Sequence, residues 1–215
     1  MRTGLLKRLW IVASVSFGAP LLVMAIVYGK WCLADGKLST ITPGTLYQSA
    51  ALSPAALVTT CDALGVRTVI DLRDSRPDDV AACRLAADGA GITHVHVPTI
   101  SWPTRDGVDA FLDAMATAER PVLVHCHHGE GRSVWMCAIH RIQNEGWSNE
   151  AAFDGTSRLP DCLRFVTAWF PGLRRFDAAQ PKGRLVLEYA PRPRQAAPTS
   201  GADHAATAAE RDGLR

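Results

Sequence analysis

Charge of either sign is too evenly matched in this chain to name a partner. The 23 Lys and Arg stand against 21 Asp and Glu over 215 residues, a formal net charge of +2. No long Lys/Arg run is present, so the electrostatic footprint of a nucleic-acid binder is missing and no nucleic-acid partner is expected. The six cysteines, at positions 32, 61, 83, 126, 137 and 162, form no Cys-x-x-Cys pair. A chain of this length also needs no disulfide framework. Most of them are expected to be buried, small apolar side chains, with Cys126 the one that asks for another reading. No internal repeat appears. What the chain does have is apolar content: 47% hydrophobic residues exclude wholesale disorder and suit one globular domain with terminal additions.

The N-terminal end carries one long uncharged run, Leu9 to Tyr28, preceded by Arg2, Lys7 and Arg8. As a helix rising about 1.5 Å per residue, it spans about 30 Å, the thickness of a bilayer's hydrocarbon core. Gly18 and Pro20 are tolerated in such spans, and Trp10, Tyr28 and Trp31 fall at its ends, where aromatics favour the interface. The reading is a single-pass N-terminal transmembrane helix over residues 1–30. A cleaved signal peptide and a buried soluble helix are the alternatives, and no small-x-small cleavage site follows Tyr28. Three cations precede the span, while Lys30 and Lys37 after it are partly offset by Asp35. That bias predicts the N-terminus inside and the domain outside the cytoplasm, a periplasmic placement.

A linker is expected over residues 31–45, a folded domain over 46–188 and a disordered tail over 189–215, whose Ala/Pro/Thr/charged composition cannot build a core. Leu46-Tyr47-Gln48 reads as a short strand. Ser53-Pro54 starts a helix, with Ser as N-cap and Pro at the first turn, that stops at Gly65. Val66–Leu72 is β-branched and reads as a buried strand. A helix over 78–87, a strand over Thr93–Val97, a loop over 99–107 and a helix over 108–118 follow. Val122-Leu123-Val124 is a strand, Arg132–Glu145 a helix closed by Gly146, Ser148 a cap, and 161–170 a last helical segment. Trp135, Met136, Ile139 and Ile142 recur at helical spacing as core, and Trp147, Trp169 and Phe170 read as packing residues. Strands alternating with helices indicate an α/β fold with a central, mostly parallel sheet flanked by helices. Ligands bind beyond the carboxyl ends of such strands, which is where His125 and Cys126 fall.

The run His125-Cys126-His127-His128-Gly129-Glu130-Gly131-Arg132-Ser133 sits at that strand-to-helix junction. Backbone N–H groups of such a turn and of the following helix converge on an anion, and the helix dipole favours it. His127, His128, Gly129, Glu130 and Gly131 form the phosphate-binding turn, with both glycines allowing conformations it needs. Arg132 adds a planar fork able to grip two phosphoryl oxygens. The same field favours the Cys126 thiolate and makes it a nucleophile. Ser133 can donate to that sulfur, and His125 orders the loop from behind.

His-Cys-x-x-Gly-x-x-Arg-Ser resembles the signature of the protein tyrosine and dual-specificity phosphatases. Pro43–Ala50 and Val69-Ile70-Asp71-Leu72-Arg73 resemble the opening segments of small bacterial dual-specificity members, so the likeness extends over roughly residues 44–170. The resemblance implies hydrolysis of phosphomonoesters through a phosphocysteine intermediate, without metal or other cofactor. It makes Cys126 the nucleophile, Arg132 the phosphate ligand and Ser133 the residue that assists the thiolate. Three positions depart from the pattern. Gln48 stands where many bacterial relatives carry Arg. Ser133-Val134 replaces Thr-Gly. Trp102-Pro103-Thr104 lacks the Asp of the Trp-Pro-Asp loop that protonates the leaving group in tyrosine-specific members. A leaving oxygen still needs a proton. Asp106, in the same loop, is the first choice, its alternative role being the N-cap of the helix at Val108. Asp74, Asp78 and Glu130 are further candidates.

Other readings of the loop are weaker. Residues 125–128 are too close in sequence to ligate one tetrahedral metal, and no second ligand pair has zinc-like spacing. Gly129 and Arg132-Ser133 disfavour a sulfur-transfer loop, and intact Cys126 and Arg132 disfavour an inactive phosphate-binding module. Glu130 in the turn argues against highly phosphorylated substrates. The expected substrate is phosphotyrosine or another phosphomonoester, a phosphorylated protein being the expected partner. A lipid monophosphate is the alternative that the membrane helix suggests.

Overall fold

The computed structural model describes residues 14–102 and 104–193. A π-helical turn, Ser14–Gly18, leads into α1 (Ala19–Leu33). Five strands follow: β1 (Ser39–Thr42), β2 (Leu46–Ala50), β3 (Thr68–Asp71), β4 (Thr93–His96) and β5 (Val122–Cys126). They form one sheet in the order β1-β2-β5-β3-β4. β2, β5, β3 and β4 run parallel, and β1 pairs antiparallel with β2 at the edge. The sheet is flanked by α2 (Pro54–Leu64), α3 (Pro77–Gly89), α4 (Arg105–Thr117), α5 (Arg132–Glu145) and α6 (Asn149–Asp154), with α7 (Val166–Trp169) and α8 (Pro181–Leu187) beyond them.

Local chemistry sets most of these boundaries. Ser53 accepts from Ala56 N–H with Pro54 at the first helical turn, and Gly65 ends α2 at φ +64°. Ser148 caps α6 in the same way, and Gly146 closes α5 at φ +74°. The inner strands β5 and β3 are fully buried, as placement between helix layers requires, whereas β4 at the edge is partly exposed. Ile70, Val122, Val124, Phe111, Trp135, Met136 and Ile139 fill one face, while Leu57, Cys61, Val66, Val69 and Leu123 fill the other.

Several sequence expectations shift. Residues 39–42, expected within a linker, form β1, tied to β2 by a ladder that the linker composition hides. The segment 161–170 is not one helix: two 3-10 turns, Asp161–Leu163 and Pro171–Leu173, bracket the short α7. Trp169 and Phe170 are largely exposed rather than packed, as are Phe165 and Trp102. Trp147 is partly exposed, with the Arg141 guanidinium 4.3 Å from its ring centroid. Residues 189–192, placed in the tail, dock on α5: Tyr189 Oη donates to Gln143 Oε1 at 2.8 Å, and Arg192 N–H donates to the same oxygen. Positions 194–215 of the expected tail, and 1–13 with the start of the apolar run, lie outside the described residues.

All six cysteines are free. Cys61, Cys83, Cys126 and Cys137 are buried, whereas Cys162 is exposed. Burial pushes the Cys61 thiol up to about 12, so it is an inert core group. The helical segment Ser16–Leu33 is long and apolar enough to cross a membrane. Phe17, Leu21, Leu22, Val23, Ile26 and Leu33 on it are all exposed.

Candidate active site

β5 is the sheet's central strand, and its last residue is Cys126. Register sets Ala50 beside Cys126, and Ser49 and Asp71 beside His125. The chain then turns through 127–131 into α5, whose first turn has no side-chain cap, leaving its N–H groups for the loop. The turn passes so close to β2 that a Cβ on Gly129 would lie 2.6 Å from Ala50 N, and Gly129 is at φ +65°. Only glycine fits there.

Cys126 Sγ lies 3.2 Å from Ser133 Oγ. Burial opposes ionisation of this thiol. Hydrogen bonds from the Ser133 hydroxyl and N–H and from Gly129 N–H, with the Arg132 charge, outweigh it and hold the thiol below its ordinary value. Ser133 Oγ also accepts from Gln48 Nε2 at 3.1 Å, and the same amide donates to Gly129 O at 3.1 Å. Gln48 therefore clamps both ends of the turn. Its side-chain function is invisible in a strand reading that saw only position 48 as a departure.

Arg132 is buried and anchored by Nη1 alone, which donates to Leu72 O at 3.1 Å, Thr99 O at 2.7 Å and Asp74 Oδ1 at 2.6 Å. Among the described residues, Nε and Nη2 have no partner and stay available to an anion. Asp74 thus holds the Arg132 guanidinium in place. Asp106 is exposed in the first turn of α4, whose cap is Thr104 and not Asp106: Thr104 Oγ1 accepts from Gly107 N–H. A cleft of about 280 Å³ is lined by Ser101, Cys126, His128, Glu130, Gly131, Arg132 and Lys182. Neither Asp106, Asp74 nor Asp78 lines it.

Glu130 does not stand as a free negative charge. Lys37 bonds it from the segment after α1, and Arg175 lies 3.2 Å away. Burial opposes its charged form, but these cations hold the carboxyl below its usual range. Contrary to the sequence expectation, Glu130 therefore offers no uncompensated charge to repel a multiply charged substrate. Lys37 also donates to His128 O at 3.3 Å, and Ala51 N–H donates to His127 O.

His125 is fully buried behind the loop, its Nε2 3.7 Å from Asp71 Oδ2, and His94 Nε2 lies 3.6 Å from the same oxygen. Burial lowers His125 to about 4, so the ring is neutral. Asp71, His94 and His125 bring ligand atoms within 4.8 Å of one another. Asp71, however, is gripped by Arg73, with Nη2 at 2.7 Å and Nε at 3.0 and 3.1 Å. The Arg73–Asp71 pair is a structural clamp beneath the site.

A parallel sheet whose central strand delivers a thiol to an uncapped helix start, with an arginine six residues on, agrees with the phosphatase resemblance of the 125–133 run. A family model described as "DSP-PTPase phosphatase fused to NAD+ Kinase" matches residues 59–161. Over that stretch the chain is similar to this dual-specificity phosphatase family. It is similar to the dual specificity protein phosphatase TpbA of Pseudomonas aeruginosa, 35% identical over 122 residues, which are 53% of this chain and 50% of the relative. TpbA of a second strain is 36% identical over 118 residues, 51% and 49% of the two chains. The chain thus spans about half the length of the curated relatives it matches. Among solved structures, P. aeruginosa TpbA is 25% identical over 72% of this chain and 92% of that one, with a TM-score of 0.46. A TpbA variant in complex with pTyr is 27% identical over 56% and 71%, with a TM-score of 0.45.

Proposed function

We propose that the chain hydrolyses phosphomonoesters through a phosphocysteine on Cys126, without a metal. The observation that carries this is the Cys126 thiol, lowered by Ser133 and the α5 N–H groups, in one cleft with an Arg132 fork whose Nε and Nη2 are open. The Cys126 thiolate attacks phosphorus, and the bond to the leaving oxygen breaks as that oxygen takes a proton. Arg132 and the N–H groups of 127–133 neutralise the equatorial oxygens. Water then attacks the phosphocysteine, releasing inorganic phosphate, while the Ser133 hydroxyl donates to the departing thiolate. Asp106 is the proposed proton donor: the loop that precedes it walls the cleft through Ser101 and bonds Arg132 through Thr99 O.

A phosphorylated protein is the favoured substrate, supported by the name of the 35%-identical relative, a dual specificity protein phosphatase. One observation favours a lipid monophosphate as second reading. The apolar helix ends at Leu33, and Lys37 just beyond it bonds the catalytic turn, so a bilayer around α1 would lie beside the cleft. In this proposal α1 is an uncleaved anchor, with the domain on the periplasmic side. Phosphate release should be compared on a phosphotyrosine peptide, a lipid monophosphate and simple aryl and alkyl phosphates. Cys126→Ser is expected to abolish release from every one, and retained turnover would sink the phosphocysteine. Asp106→Asn is expected to slow the alkyl phosphate by about 100-fold and the good aryl leaving group far less. If Asp74→Asn shows that pattern and Asp106→Asn does not, the donor is Asp74.

A further inference from the structure

We propose that Lys182 is a substrate-binding residue, gripping an anionic oxygen of the phosphoester held in the Cys126 cleft. It lies beyond residues 59–161 matched by the family model, on a short helix that no sequence signal marked. It nonetheless lines the same cleft as Cys126 and Arg132. Its ammonium sits over the end of the catalytic turn, so that a Cβ on Gly131 would come 2.9 Å from Nζ. The glycine leaves the space that the ammonium uses.

The placement of α8 is not loose. A Cβ on Gly183 would meet Asp177 O at 2.0 Å, so the helix lies directly on the 177–178 backbone. Val186 is fully buried in the core, and Asn149 Nδ2 donates to Val186 O, Leu187 O and Tyr189 O. The helix thus carries a half-buried cation to a fixed point above the nucleophile. Among the described residues Lys182 has no carboxylate partner, whereas the neighbouring Glu130 is taken by Lys37 and Arg175. A partly desolvated cation with no carboxylate of its own faces Arg132, and the single charge of the Cys126 thiolate does not neutralise both cations, whereas a phosphoryl dianion adds the missing charge.

This inference rests on the phosphatase reading, so its test separates the two. Inorganic phosphate binding is measured by calorimetry on the full Cys126→Ser chain, where no turnover intervenes. Adding Lys182→Met is expected to weaken phosphate binding by about tenfold, and Lys182→Arg to restore most of it. In the Cys126 enzyme the same Met substitution is expected to raise KM for an aryl phosphate more than it lowers kcat. Phosphate affinity and KM unchanged in both Lys182→Met and Lys182→Gln, with native melting temperatures, would overturn the role of Lys182. Absence of Cys126-dependent turnover would instead overturn the phosphatase reading, and the calorimetric comparison would still decide on Lys182.

Discussion

Ser133 has one hydroxyl proton, and three neighbours decide where it points. Gln48 Nε2 donates to Ser133 Oγ, which leaves that proton for Cys126 Sγ at 3.2 Å or for Ser49 O at 3.5 Å. The shorter contact and the thiolate charge favour sulfur. Gln48 therefore acts through Ser133 as a positioning residue, where an arginine would bring a charge. Gln48→Leu keeps the volume but frees the hydroxyl to rotate. The ascending limb of the kcat/KM pH profile is expected to move up by about one unit, with Gln48→Glu failing to restore it. A profile unchanged in Gln48→Leu would show that Ser133 needs no such orientation.

At the scale of elements, the position of α8 depends on a missing side chain at Gly183. Its seven residues have little helical stability of their own, so docking holds it. Gly183→Ala forces a methyl against the Asp177 carbonyl, which is backbone and cannot yield. The melting temperature is expected to fall by about 5 °C, and KM for an aryl phosphate to rise as in Lys182→Met. A stability loss without a KM change would separate the docking of α8 from substrate binding. α1 offers a contrast: it stands exposed along most of its length, yet Trp31 at its end is buried and donates to Leu38 O. Its base is joined to the domain even though its apolar faces are left for other surroundings.

At the scale of the whole molecule, the buried imidazoles of His125 and His140 contribute to the response to acid. His125 and His140 are both lowered by burial to about 4 from 6.5. The unfolded chain binds their protons first, so stability is constant above about pH 6.5 and falls as pH drops from there towards about 4. Asp71 adds to this in more acidic solution. Burial opposes its charge, but His94, Arg73 and His125 hold it well below the carboxylate range, so its contribution is lost only as pH falls further. Chemical denaturation at pH 7.5 and 5.0 should show the loss, and His140→Gln should reduce the difference. Equal stability at both values would mean that these rings are accessible to protons in the native state.

The chain's own local signals determined the alternation of strands and helices, the caps at Ser53 and Ser148, the stops at Gly65 and Gly146, and the turn from Cys126 to Ser133. Each rests on hydrogen bonds or periodicities within a few residues, which a linear reading can follow. The edge strand β1, the Gln48 clamp, the Asp74 hold on Arg132, the neutralisation of Glu130 and the arrival of Lys182 were decided only by tertiary structure. Those partners lie tens of residues apart, and burial and ion pairing join them only after the parallel sheet has closed around β5. The proposed nucleophile was therefore legible in the sequence, because a loop supplies it. The cations and amides that tune it were not, because the fold supplies them.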